Sequence, residues 1–123
     1  MMSAAFLADQ DAGAKEIRNN QRSEMVALSL PPGKYSLIAS GTVEGSGSRS
    51  VQGLIEFGAM TVHSRNITLE VNASFVPFPM MFGLLDLPSG GIVRVSCLVS
   101  EFTPGPAAGL SFRLLALSIE SIG

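Results

Sequence analysis

The sequence predicts an all-β fold: an antiparallel two-sheet β-sandwich of seven or eight strands, led by a flexible N-terminal arm. Three observations carry this. Apolar and polar residues alternate through most of the chain after residue 23. Pro- and Gly-rich turn signals break that alternation at intervals of strand length. No helix of normal length fits anywhere after residue 23.

Residues 1–22 read as the arm, and residues 23–123 as one sandwich domain. The arm is polar, and residues 1–24 hold seven of the eighteen charges. The stretch "AGAKEIRNNQR" predicts at best a marginal helix, because Ala12 and Ile17 make only a thin apolar stripe. Such a tail is expected to be mobile in isolation and to order on a partner.

The first strand is expected in "EMVALSL", with Val26, Leu28 and Leu30 on one face. Pro31-Pro32-Gly33 then forces a corner, since proline fixes φ and donates nothing to a ladder. It launches a second strand, with Tyr35, Leu37, Ala39, Gly41 and Val43 on the core side. "EGSGSRS" is a hairpin tip. "VQGLIEFGAM" is the third strand, with Val51, Ile55 and Phe57 in phase and Gly53 marking a bulge or a close contact. "TVHSR" leads to an alternating "NITLEVNASFV". The segment 75–87 is apolar and broken by Pro77 and Pro79. "IVRVSCLVS" follows the turn "PSGG", "EFTPGPAAG" is a loop, and "LSFRLLALSIESI" closes the chain as one long strand. The strand count and the turn spacing make the sandwich jelly-roll-like.

The run "LPPGKYSLIASGTV", the later "GGIVRVSCLVS" and the closing "LLALSIESI" resemble a β-sandwich layout of phage and bacterial proteins. More loosely, they are similar to the jelly rolls of the tumour-necrosis-factor and complement-head type, over about residues 28–122. The end of this chain lacks the aromatic closing pattern of the complement heads. The resemblance implies trimers, and placement of such modules on phage capsids and fibres.

Composition narrows the function. Only 15% of residues are charged, while 46% are hydrophobic. That is little charge with which to coat an isolated domain. Two readings follow: a monomer with a Ser/Thr/Gly surface, or an oligomer whose flanks meet copies of itself. Net charge is −2, with Lys and Arg scattered singly, so no footprint for nucleic acid is expected. No run reaches the ~18 apolar residues of a membrane helix, so no membrane insertion is expected. The start of the chain does not read as a secretory signal, which predicts a protein made in the cytoplasm, and a virion location if phage-encoded. The sequons at Asn66 and Asn72 then read as chance.

No cofactor, metal or catalytic residue is expected. His63 is the one histidine and Cys97 the one thiol, in phase with Val93, Val95 and Val99 as a core residue. Glu56 and Glu70 alternate with apolar residues, as on the wet face of a sheet. "FVPFPMMFG" carries two readings. Phe75, Phe78, Met80, Met81 and Phe82 either cover the core as a loop or edge strand, or form a subunit interface. Ser46, Ser48, Arg49 and Thr103 mark the loops of a candidate binding surface. The leading expectation is a non-enzymatic assembly protein, a homotrimer decorating a capsid, with itself and other virion proteins as partners. The alternatives are a phage receptor-binding or tail module that binds a glycan through loops 44–50 and 101–109, and a small-ligand-binding sandwich lined by the Met/Phe segment.

Overall fold

A computed structural model describes residues 5–10, 15–17, 22–45, 49–69, 75–100 and 107–119. The strands are β1 (Ala5–Asp9), β2 (Lys15–Glu16), β3 (Ser23–Leu30), β4 (Gly33–Gly45), β5 (Arg49–Phe57), β6 (Met60–Leu69), β7 (Phe75–Leu87), β8 (Gly91–Ser100) and β9 (Ala107–Ile119). They form two antiparallel sheets, an all-β sandwich. Sheet A runs β1-β9-β4-β7, with β2 also on β9; sheet B runs β3-β8-β5-β6.

The alternating face of β4 builds the centre of the core. Tyr35, Leu37, Ala39 and Val43 are all buried, and Gly41 shares their phase. The Pro31–Pro32 corner carries the chain from β3 in sheet B to β4 in sheet A. Tyr35 ties that corner down, its hydroxyl donating to the Pro31 carbonyl at 2.6 Å. A buried phenol needs such a partner. From the facing sheet come Val51, Ile55, Val93, Val95, Cys97 and Val99, all fully buried.

The register of sheet A shifts on both sides of β4 at one level. Between β4 and β9 the register jumps from Ser40↔Arg113 to Thr42↔Leu110, so Gly41 faces two residues. Between β4 and β7 it jumps from Ala39↔Met81 to Gly41↔Phe78, so Ser40 faces Pro79 and Met80. A bulge accommodates an unpaired residue and re-aims its neighbours. Here the bulges turn Phe78 and Phe112 inward together, with ring centroids 6.2 Å apart. Two glycines make the room. A Cβ on Gly41 would overlap the Phe112 ring, and one on Gly53 would lie 2.7 Å from Phe78 Cζ.

The structure corrects the reading of the first 22 residues. Lys15 and Glu16 are a short strand, not a helix, and Ile17 is buried in the core. Residues 5–9 are hydrogen-bonded to β9 as β1, with Phe6 edge-on to Tyr35 at 6.0 Å. The reason is the open side of β9, whose backbone groups need partners. Tertiary pairing supplies what local propensity does not.

Candidate functional site

The predicted interface set divides between two faces. Phe78 and Met81 are corrected: they are core residues of a single chain, 4% and 0% exposed. Met80 and Phe82 point outward and are exposed, whereas the side chain of Phe75 lies outside those described. The split follows from the Pro79–Met80 bulge. It lets two residues three apart, 78 and 81, face the same way in a strand whose ordinary period is two. β7 is an edge of sheet A, and its prolines suit that place.

Phe82 is one end of a row that crosses all of sheet A. Leu7 pairs with Leu115, Leu115 with Ile38, and Ile38 with Phe82, all on the face away from the core. The next row is Ala5, Leu117, Ser36 and Leu84. Leu84 is 74% exposed, and Leu7, Phe82, Leu117 and Ile119 are exposed beside it. Charges bound this surface at both ends. Arg113 Nε donates to Asp9 Oδ1 at 2.5 Å at one end, and Lys34 faces Asp86 across the β4–β7 ladder at the other. An apolar centre with a polar rim is the anatomy of a protein–protein interface. Single exposed leucines need no explanation, but a contiguous patch does.

The outward side of sheet B is different. Glu24 accepts from Arg94 Nε at 3.1 Å, and Arg94 lies opposite Glu56 in the β5–β8 ladder. Glu56 is buried, with Arg22 Nη1 2.6 Å from its Oε2. The carboxylate read as part of a wet face is therefore covered and paired, as a buried charge must be. The outward face of sheet A thus carries two apolar rows, while that of sheet B carries two ion pairs beside the exposed Ile92.

The remaining candidates come out as follows. His63 sits on β6 at the sandwich edge, where its Nδ1 accepts from the Phe82 N–H at 3.2 Å. That bond links the last strand of sheet B to the last strand of sheet A. Cys97 is fully buried, opposite Ser23 and Gly53. Burial pushes its thiol up from 9.0 to about 12. Ser46, Ser48, Glu70, Asn72 and Thr103 lie outside the described residues, as does the side chain of Arg49. Among the described residues no group of three or more His, Cys, Asp or Glu could hold a metal ion, and no helix is long and apolar enough to cross a membrane.

The thiol makes a direct prediction. A thiolate-seeking reagent at pH 8 should label Cys97 only as fast as the protein unfolds. Immediate labelling of the native protein would put the side chain elsewhere. The sign of the pH effect also follows. The folded state holds the thiol proton more tightly than the unfolded state, so the contribution of Cys97 is complete below pH 9 and is lost as pH rises from 9 to about 12. Cys97→Ala should remove that part of the alkaline slope in denaturant titrations at several pH values.

No family model and no curated protein sequence matches the chain. Among solved structures it is similar to Eiger TNF from S. frugiperda. The TM-score is 0.63 at 9% identity, with 100% of this chain and 96% of that one covered. It is also similar to the VP2 subviral particle protein of infectious bursal disease virus. There the TM-score is 0.51 at 11% identity, over 94% of this chain and 32% of that one. These likenesses are of fold: the class is an antiparallel β-sandwich similar to that of a TNF and to part of a particle-forming viral protein.

Proposed function

We propose that this protein is a non-enzymatic assembly module that associates with copies of itself through the outward face of sheet A. The carrying observation is the pair of cross-strand rows, Leu7–Leu115–Ile38–Phe82 and Ala5–Leu117–Ser36–Leu84, left open between two charged ends. The rim contains both signs, Asp9 with Arg113 and Lys34 with Asp86, so a second copy meets no net repulsion there. A closed ring buries the face in every copy and leaves none to template further growth. The sequence resemblance favours three copies. In such a ring the ion-paired face of sheet B remains outward, in contact with solvent or a larger surface. A capsid-decoration role in a phage is the concrete form of this reading, and the VP2 likeness supports placing such a sandwich on a particle.

The test is sedimentation over a range of concentrations. The parent is expected as a trimer. Leu84→Asp places a charge at the most exposed apolar position of the face and should disperse the trimer to folded monomers, a loss of about 2 kcal/mol or more per interface. A parent that stays monomeric at high concentration, or a Leu84→Asp variant that stays trimeric, rejects the reading. The virion part is tested separately, by whether the purified protein binds assembled capsids that lack it.

A further inference from the structure

The association face is not built by the sandwich alone. One side of β9 is paired by two short pieces of the N-terminal segment, β1 against residues 113–117 and β2 against residues 108 and 109. Between them β9 bulges at Ser111, which holds a left-handed φ of 55°. Gln10 closes this gap. Its N–H donates to the Phe112 carbonyl at 2.7 Å, its Nε2 donates to the Gly109 carbonyl at 2.6 Å, and its Oε1 accepts from the Phe112 N–H at 3.1 Å. A primary amide offers both a donor and an acceptor in one plane, which is what an interrupted ladder lacks.

We propose that residues 5–10 are a keyed, releasable part of the association face: Gln10 sets β1 in register, and β1 completes the face for a second copy by carrying Leu7 into the first row. This rests on the reading of sheet A as the self-association surface. Release is feasible because β1 has five residues and one neighbouring strand, and Ala5, Leu7 and Asp9 are exposed. Its inward residues, Phe6 and Ala8, are only partly buried. Such a segment opens at a smaller free energy than the whole fold. Opening removes Leu7 from its row, breaks the Asp9–Arg113 pair at the rim and bares the edge of β9. The segment thereby controls assembly: docked, the face is complete; displaced, the copies part while the sandwich persists.

The test uses full-length protein and two readouts, amide exchange and sedimentation. Gln10→Ala deletes the side-chain bonds to Gly109 and Phe112 and keeps the backbone one. Exchange of the β1 amides should accelerate on the order of tenfold, with the β4 core amides unchanged, and the concentration at which copies associate should rise by the factor by which the docked fraction falls. Gln10→Asn keeps the amide but shortens its reach by one methylene, so it should fall between, and it replaces Gln10→Ala if the latter does not fold. Leu84→Asp separates the two ideas. If Leu84→Asp disperses the copies but both Gln10 variants associate like the parent, the key is wrong and the face stands. Unchanged β1 exchange in the Gln10 variants also overturns the key. If Leu84→Asp associates like the parent, the face is wrong and this inference falls with it.

Discussion

Phe78→Ala should cost about 3–5 kcal/mol of folding stability, the usual price of deleting a buried ring. The ring is 4% exposed, lies against Phe112 and fills the space over Gly53. Its removal leaves a cavity between the two sheets, and the facing Gly53 has no side chain with which to fill it. The cavity penalty therefore adds to the lost transfer energy. A small domain has about 5–15 kcal/mol in all, so the variant should unfold at much lower urea, and at 37 °C part of it should be unfolded. Equilibrium urea titration by circular dichroism measures this. A variant with the parent's midpoint but a smaller sedimentation coefficient would instead put Phe78 at a subunit contact.

Gly41→Ala should destabilise the fold by about 1–3 kcal/mol, although it adds a single methyl group and replaces glycine in a strand. Replacing a strand glycine by alanine ordinarily helps, through lower unfolded-state entropy. Here sterics decide the sign, because the new Cβ would overlap the Phe112 ring, and Phe112 is fully buried and cannot move out. The double variant Gly41→Ala/Phe112→Leu isolates the clash. The two substitutions should be non-additive by about 1 kcal/mol or more, with the smaller side chain relieving the methyl. Additive energies in a double-mutant cycle would show that the ring does not press on Gly41.

What the sequence revealed, and what it hid, follows from the range of the forces involved. The core face of β4 was legible because one period of two runs from Tyr35 to Val43 without a break, and Cys97 was legible for the same reason. In the sequence Gly53 signals either a bulge or a close contact, and the structure shows the second, since it makes room for the ring of Phe78. The inside–outside assignment of residues 78–82 was not legible. A bulge opposite Ser40 resets the phase, and its position depends on pairing with β4, a strand more than thirty residues earlier. β1 and β2 were hidden because neither has enough local pattern to be a strand; each is one only because β9 lies beside it. The apolar face of sheet A was half visible. Met80 and Phe82 stood out as apolar residues near prolines, but Leu7, Leu115, Ile38 and Leu84 come together only through cross-strand register.

The central place of β9 also governs when this chain can fold during its synthesis. β9 is the last described strand to be made, yet it lies between β1 and β4. Until it leaves the ribosome, the N-terminal strands have nothing to pair with and β4 has only β7. Sheet B is likewise incomplete until β8, which joins β3 to β5, has emerged. Translation at roughly 5–20 residues per second thus delivers residues up to 100 before sheet B can close, and up to 119 before sheet A can. Contacts joining such distant segments are slow to form. The newborn chain must pass through an interval in which its apolar segments are synthesised but unsheltered, and the two prolines of β7 limit the pairing that a neighbouring nascent chain could offer it there.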